Sequence, residues 1–340
     1  MSPAGRIAVV GAGANGASIG ADLIAAGHDV TLVEQWPAHV EAMRSRGLVV
    51  QMADRELQLS PRVVHLCQVA ELRHPFDVVL IVMKAYDTAW AARLIAPLVA
   101  PDGIVAAVQN GMTTDAVADA VGSERTAGTV IEVSATMTEP GIVRRHTPPE
   151  ASWFAVDADP RADRVAAVLT ASGRVERFDD IASAKWMKLV SNCSLLVTTA
   201  LVGMPMADAV HLPGLRDVMI AAGDEALAVG RARGHAVLPI FGLTDGELDD
   251  PRGVSEVLLD AVYRFVRPGA TTTVLQDWTK HRRSEAQDLN GLVAREGARL
   301  GVATTVNARI AELAARVEAG ELEPAAGNVE LLAGRPAARQ

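Results

Sequence analysis

The segment Ile7–Glu34, IAVVGAGANGASIGADLIAAGHDVTLVE, constrains the fold of this chain more than any other stretch. It reads as strand, glycine-rich turn, helix, strand. Ile7–Val10 is a short apolar strand that runs into Gly11-Ala12-Gly13-Ala14-Asn15-Gly16, a G-x-G-x-x-G match. In that motif the first glycine allows a tight turn, the second lets the backbone approach a pyrophosphate, and the third lets the helix pack close to the strand. A helix over about Ala17–Ala26 would aim its N-terminal amide dipoles at the pyrophosphate. Gly11, Gly13, Ala14, Asn15 and Gly16 are therefore the expected cofactor-binding residues of the turn. Asp29–Val33 forms the second strand. Glu34 follows Gly11 by 23 residues, close to the roughly 20 expected for an acid that grips a ribose 2′-hydroxyl. A lone glycine motif is often only a flexible loop. Strand, helix, second strand and acid together point to a dinucleotide site.

The rest of the chain sets bounds. At 340 residues about two domains are expected. The formal charge of −9 argues against nucleic acid, whose phosphates need a basic face. Cys67 and Cys193 are too few and too far apart for a disulfide framework or a zinc site. The eight histidines show no paired metal-ligand spacing, so no metal is expected. No apolar run approaches the roughly 18 residues of a membrane span. The first strand begins by Ile7, which leaves no room for a signal peptide. The expectation is a reduced, cytoplasmic protein.

The first half alternates apolar runs with amphipathic stretches, the pattern of a parallel sheet covered by helices. Pro37–Ser45 reads as a helix and Leu48–Val64 as a pair of short strands. Asp77–Met83, DVVLIVM, reads as a central strand buried on both faces. Tyr86–Ala96 looks helical, and Gly103–Val108 is the next strand, opening into Gln109-Asn110-Gly111. Strands follow at Gly128–Ser134, Gly141–His146 and Trp153–Ala155, with a turn at Glu139-Pro140-Gly141. Near Phe178 the character changes to helix-period segments: Ala182–Val202, about Gly214–Arg233, Val254–Phe265, Thr279–Leu300 and Val306–Ala319. The tail Glu321–Gln340 is rich in small residues, Pro and Gly, and is expected to be partly disordered. The fold class is an α/β Rossmann-type dinucleotide-binding domain (1–178) followed by an all-α substrate domain (179–320), with a cleft between them.

Outside the glycine turn four polar positions stand out. Lys84 follows a central strand at its carboxyl end, where open α/β sheets bind ligands; a solvated loop lysine fits equally. Asn110-Gly111 also follows a strand end, and an ordinary N-G turn is its rival reading. Lys188 and Asn192 lie four apart on one face of a largely apolar helix. They could mark its solvent-facing stripe, and Lys185, one turn earlier, complicates the choice. Glu285 and Asn290 fall in a charged helical segment whose charges would mostly be solvated.

Together these pieces resemble the ketopantoate reductase (2-dehydropantoate 2-reductase) family, to about residue 320. The matching elements are G-x-G-x-x-G at Gly11–Gly16, V-M-K-A at Val82–Ala85 and Q-N-G at Gln109–Gly111. K-L-x-x-N-C at Lys188–Cys193 and L-Q-D…S-E-x-x-x-x-N-G at Leu275–Gly291 complete the set. The resemblance implies that Lys188 is the catalytic lysine, donating a proton as hydride reaches a ketone carbon. Glu285 would hold that lysine's charge and orientation or bind a substrate hydroxyl. Asn110 would lie near nicotinamide and substrate, Asn192 would bind substrate, and Lys84 would lie near the cofactor. A homodimer is also implied.

Two departures shape the expectation. The family usually carries a second asparagine one turn beyond Asn192, where this chain has Leu196. A further polar position aligns with Met206, and the family's serine before L-Q-D with Thr273. Losing an amide beside a substrate hydroxyl costs about 1–3 kcal/mol if that hydroxyl is buried, so the pocket is expected to favour a more apolar 2-oxo acid than ketopantoate. The second departure is Glu34. The family typically uses NADP, with a basic residue near the end of the second strand. A carboxylate there repels a 2′-phosphate and accepts from a free ribose diol, so NAD is the expected cofactor, with NADP implied by the family and Arg44 the nearest arginine to support it. The leading reading is a reductase of 2-oxo acids to 2-hydroxy acids. Authentic NADPH-dependent 2-dehydropantoate 2-reductase is the alternative. Another Rossmann-plus-helical dehydrogenase and a non-catalytic NAD sensor are the remaining rivals.

Overall fold

The computed structural model describes residues 5–264, 266–267 and 269–335. Phe265, at the end of one expected helix, and residues 336–340 of the expected tail lie outside the described residues. The chain divides into two compact units, Met1–Ile181 and Ala182–Gln340, against the expected change of character near Phe178.

Unit 1 is built on a parallel six-stranded sheet of β1 (Arg6–Val10), β2 (Asp29–Glu34), β5 (Arg62–His65), β6 (Phe76–Ile81), β7 (Val99–Ala107) and β8 (Thr126–Ala127). Their order is β5-β2-β1-β6-β7-β8. Strand side chains alternate between faces, and here both sets are apolar. Ile7, Val9, Val78, Leu80, Ile104 and Ala106 enter one core with Ile19 and Leu23 of α1 (Ala14–Ala25) and Val40 of α2 (Pro37–Arg46). Ala8, Val10, Val79, Ile81, Val105 and Ala107 enter the other, with Ala91 and Ile95 of α3 (Thr88–Ile95) and Val117 of α4 (Thr114–Val121). Each large aliphatic side chain buried this way contributes about 1.5–3 kcal/mol. That is why the run around Val78–Ile81 reads as continuous rather than alternating hydrophobicity.

Leu48–Val64 forms three strands where two were expected. β3 (Leu48–Gln51) and β4 (Glu56–Leu59) make a hairpin in a second sheet of order β10-β11-β3-β4, with β10 (Ala135–Glu139) and β11 (Ile142–Arg145). Past Ser60-Pro61 the chain crosses to the main sheet as β5, pairing with β2. Proline lacks the ladder donor, so the hairpin strand ends there. A third sheet, β13-β12-β9, joins β9 (Thr129–Glu132), β12 (Trp153–Asp157) and β13 (Arg174–Phe178), with α5 (Asp163–Leu169) before β13.

The second sheet is tied to α1 through a buried ion pair. Arg145 of β11 donates to Asp22 of α1, to Ser152 Oγ (2.9 Å), to the Ser172 carbonyl (2.7 Å) and to the Thr147 carbonyl (2.7 Å). Ser172 Oγ also donates to Asp22 (2.6 Å). The two charged side chains are 0% and 4% exposed. Burial pushes the Asp22 carboxyl up from its ordinary pKa against the attraction of Arg145.

Unit 2 is helical: α6 (Ile181–Leu201), α7 (Met206–Ala209), α8 (Leu215–Ala232), α9 (Asp245–Leu248), α10 (Val254–Tyr263), α11 (Thr273–Thr279), α12 (Asn290–Leu300), α13 (Thr305–Glu318) and α14 (Asn328–Leu332). The continuous helix expected over Thr279–Leu300 is absent. α11 stops at Thr279, His281 takes a positive φ of 52°, and α12 restarts at Asn290. The intervening segment is held from outside itself: Trp278 Nε1, the Ser284 backbone N–H and Ser284 Oγ all donate to Glu318 Oε1 (3.3, 2.9 and 2.7 Å). Part of the described tail is anchored to α6. Ala325 N–H and Asn328 Nδ2 donate to the Leu201 carbonyl (3.1 and 2.9 Å), and Leu332 is fully buried. Chain end and α6 thus satisfy one of the carbonyls a helix terminus leaves unpaired. Among the described residues no helix is long and apolar enough to cross a membrane.

Glycines let α6 and α8 approach closely. A Cβ on Gly230 would fall 2.2 Å from Trp186 Nε1, which donates to the Ala226 carbonyl at 2.8 Å. Gly230→Ala is therefore expected to lower stability by about 1–3 kcal/mol through overpacking. Gly246→Ala, whose Cβ would meet nothing within 4 Å, is expected to be neutral or stabilising by up to about 1 kcal/mol. Urea unfolding of both variants checks the contrast.

Candidate active site

In the main sheet the strand order reverses between β1 and β6, and ligands bind open α/β sheets at the carboxyl ends beside such a switch point. The turn after β1, the loop after β6 and the loop after β7 all emerge there. They carry Gly11–Gly16, Lys84 and Asn110.

The glycine turn is shaped by what a side chain would strike. Gly11 has φ +93°, and a Cβ on it would lie 2.3 Å from Met83 Cγ. A Cβ on Gly16 would lie 1.9 Å from the Gly11 carbonyl oxygen, so α1 can sit on the turn only with glycine there. Gly13 is different: its Cβ would meet nothing within 4 Å. Its lack of a side chain is not needed for folding, which fits a backbone that a phosphate must approach. α1 starts at Ala14 with Gly13 as its N-cap and no side-chain cap, leaving its first amides as donors for an anion.

Three polar atoms near these strand ends lack protein partners: Asn15 Oδ1, Asn110 Oδ1 and Thr113 Oγ1. Buried and unpaired, each such atom costs about 1–3 kcal/mol, a cost that a polar ligand removes. Thr113 is 5% exposed, and no motif in the sequence singles it out. Gln109, beside Asn110, braces the loop instead of facing a ligand. It accepts from Thr88 Oγ1 (2.9 Å) and donates to the Met83 carbonyl (2.6 Å), fixing the backbone just ahead of Lys84. Lys84 itself is half-buried. These residues fit a dinucleotide.

Glu34 ends β2, 6% exposed, and its Oε1 accepts the Trp36 backbone N–H at 2.8 Å. That bond turns the chain into α2 and keeps the carboxylate at the strand end. Arg44 is engaged with the Val63 carbonyl (3.3 and 3.2 Å), with Gln68 and with Glu41 (3.0 Å).

In unit 2, α6 carries Lys188 and Asn192 at 6% and 3% exposure. The solvent-facing-stripe reading fails, since both are buried. Lys188 Nζ lies 4.6 Å from the centre of the Phe241 ring, a cation–π contact. Phe241 holds a left-handed φ of +59°, a conformation that costs a non-glycine residue of order 1 kcal/mol or more and that collects at functional sites. Nothing in the sequence around Phe241 signals the contact. Asn192 Nδ2 is buried with no protein partner. Leu196, one turn on, is partly buried.

Asn290 is structural on one side: its Nδ2 donates to the Cys193 carbonyl (3.0 Å) and to Asn307 Oδ1 (2.9 Å). Asn307 donates to the Ala222 carbonyl (2.9 Å) and Glu225 (2.8 Å), and Glu225 also accepts the Val306 and Asn307 backbone N–H groups (2.9 and 2.8 Å). This buried network joins α6, α8, α12 and α13. Glu285, half-buried, sits not on a helix but in the segment between α11 and α12, its carbonyl accepting from Asp288 and Leu289 N–H (2.9 and 3.0 Å). Thr273, expected to bind substrate, is exposed in the first turn of α11. The buried hydroxyl is that of Thr272, used as the N-cap and accepting the Leu275 N–H at 3.3 Å. The cap geometry decides which threonine turns inward.

Lys185 is 3% exposed, and burial pushes its ammonium down from 10.5 to about 7. Between those values the unfolded chain holds a proton that the folded chain lacks, so stability rises with pH across that window and the contribution is lost as pH falls toward 7. Urea unfolding at pH 7 and 8.5 is expected to show a steeper rise for the wild type than for Lys185→Met; equal slopes would refute it. For the glycine turn, Gly13→Ala should unfold like the wild type within about 0.5 kcal/mol and bind its reduced nicotinamide cofactor at least about tenfold more weakly, a loss of about 1.4 kcal/mol. Gly16→Ala should lose stability outright.

The residues 7–157 match the family described as Ketopantoate reductase PanE/ApbA, and residues 180–318 its C-terminal counterpart, Ketopantoate reductase PanE/ApbA C terminal. The chain is 30% identical over 320 residues to the 2-dehydropantoate 2-reductase of Caulobacter vibrioides, a match covering 90% of this chain and 97% of that protein. It is 27% identical over 320 residues to the 2-dehydropantoate 2-reductase of Archaeoglobus fulgidus, covering 93% and 98%. The crystal structure of a PanE/ApbA family ketopantoate reductase from Ralstonia eutropha JMP134 superposes with a TM-score of 0.80 at 28% identity, covering 93% of this chain and 99% of that one. With matches running through both units, this chain belongs to the ketopantoate reductase family.

Proposed function

We propose that the protein is a nicotinamide-dependent reductase of 2-oxo acids, with Lys188 as general acid. The observation that carries this reading is the pair on α6: a lysine and an amide, both buried, four residues apart on one helix face, the amide Nδ2 unpaired. A buried, unpaired amide donor such as Asn192 Nδ2 is expensive unless a ligand uses it.

When bound, the dihydronicotinamide supplies a hydride to the oxo carbon. The chain's own residues do the rest. As negative charge grows on the oxo oxygen, the Lys188 ammonium donates a hydrogen bond to it and then passes it a proton. Lys188 is left neutral and takes a proton back from solvent when product leaves. The Phe241 ring, stacked on the ammonium, narrows the positions Lys188 can take. Asn192 Nδ2 donates to a substrate oxygen, and Glu285 steadies the lysine's charge or accepts from a substrate hydroxyl. On unit 1, the α1 amides hold the pyrophosphate, Lys84 lies near the cofactor, and Asn110 Oδ1 offers an acceptor at the end of β7.

NAD is the cofactor this reading favours. The Glu34 carboxylate at the end of β2 would repel a 2′-phosphate and accept from a ribose diol. Arg44, the arginine that could offset it, is already held by Val63, Gln68 and Glu41. Leu196 in place of an amide favours a more apolar 2-oxo acid, one without the 4-hydroxyl of ketopantoate. A second reading, ketopantoate reduction, draws support from the names of the curated relatives, with NADPH as the cofactor the family resemblance implies. The reading includes a homodimer, as the family resemblance implies, and the cytoplasmic location expected from the sequence; a monomer in sedimentation at micromolar concentration would remove the dimer.

Initial rates with NADH and NADPH against ketopantoate and 2-oxoisovalerate decide between the two. Turnover of 2-oxoisovalerate with NADH at equal or better kcat/KM than ketopantoate is expected. Strong preference for ketopantoate with NADPH overturns the substrate and cofactor assignments together. Lys188→Ala should lower kcat by a factor of about 100 or more while NADH binding is kept.

A further inference from the structure

His39, in the first turn of α2, is completely buried and bridges two backbone groups. The Gly141 N–H donates to its Nδ1 at 2.8 Å, and its Nε2 lies 3.0 Å from the Ala12 carbonyl oxygen. A ring nitrogen that accepts an N–H carries no proton of its own, so the imidazole proton is on Nε2 and is donated to Ala12. Ala12 is the residue between the first two glycines of the turn.

A trans peptide directs its C=O and its N–H to opposite sides. Holding the Ala12 carbonyl on His39 therefore turns the Gly13 N–H away from the ring. Gly13 is the position whose surroundings are open to 4 Å, and it is the N-cap of α1. The far side of the bridge is equally defined. Gly141, φ +87°, closes the β10–β11 turn, and its carbonyl accepts the Val49 N–H at 2.8 Å. His39 also follows Glu34 by only five residues, with Trp36 against its ring at 6.2 Å between centres. One side chain thus connects the phosphate end of the site, the ribose end and the second sheet.

We propose that His39 is a positioning residue of the dinucleotide site, setting the peptide plane at Ala12–Gly13 through its Nε2–H. The proposal rests on the nicotinamide-cofactor reading above. Two conservative variants separate its two bonds. His39→Gln keeps an amide N–H near the Nε2 position and loses the acceptor for Gly141. His39→Asn keeps an acceptor near Nδ1 and loses the reach to Ala12.

The experiment is titration of wild type, His39→Asn and His39→Gln with NADH by fluorescence, with steady-state kinetics and thermal melts of the same preparations. His39→Asn is expected to raise the NADH dissociation constant and KM about tenfold, with kcat at saturation and the KM for the 2-oxo acid within twofold of wild type. His39→Gln is expected to stay within threefold throughout. Wild-type affinity in His39→Asn, or equal losses in both variants that follow the melting temperature, overturns the proposal and leaves the cofactor reading standing. A wild type that binds neither NADH nor NADPH brings both down. If His39→Asn does not fold, proton NMR of the wild type replaces it: the His39 Nε2–H should exchange more slowly when NADH is added, and an unchanged exchange rate overturns the proposal.

Discussion

The buried pair Arg145–Asp22 is the interaction on which the nucleotide-binding unit depends. It places a charge on α1, two turns from the glycine turn, and a charge on β11, and it satisfies nearly every donor of the guanidinium within the fold. Such a pair adds little net stability over an apolar replacement, yet removing one partner strands a buried charge at a cost of about 3–5 kcal/mol. Its effect is directional. Only one placement of the second sheet against α1 keeps both charges paired. At the other end of β11, the Gly141–His39–Ala12 bridge makes the same demand. The small sheet is therefore held at both ends by polar contacts that reach α1 and the glycine turn. A hydrophobic interface alone would fix that orientation less sharply.

Unit 2 uses a comparable device. α6 is nearly all buried, including Lys188, Asn192 and Lys185. A helix this apolar could rotate about its axis with little loss of hydrophobic contact. Its orientation is set by specific features: the Trp186 indole donating to Ala226 over Gly230, the Asn290 bond to the Cys193 carbonyl, and the chain end on the Leu201 carbonyl. These bracket the segment that carries Lys188 and Asn192. Preorganisation of the proposed acid and amide is a consequence of how the helix is clamped before and after them.

Some features are plain in the sequence because they depend on local chemistry. The glycine spacing, the acid at the end of β2 and the double-faced apolar run around Val78 each reflect the backbone's own limits: where a Cβ fits, where a strand ends, which faces need covering. The long helices of unit 2 are visible from apolar spacing. The break between α11 and α12 is not, since the residues from Lys280 to Leu289 have no helix breaker, and the segment is drawn off by Glu318, 34 residues away from Ser284. The tail looks unstructured by composition, yet the Asn328 amide bonds to the end of α6 and Leu332 is fully buried. The family resemblance points to Thr273 rather than Thr272, because matching a motif does not say which neighbour an N-cap turns inward.

The sequence by itself determined the two-part organisation, the dinucleotide turn and the residue types of the proposed acid and amide, because short-range sterics and periodicity impose these on any chain with this pattern. Tertiary structure decided the rest. It buried Lys188 and Asn192, set Phe241 over the ammonium from 53 positions further along the chain, and gave His39 its single proton position. Those outcomes depend on which groups meet across long sequence separations and on the desolvation that follows, and neither quantity is written in the local order of residues.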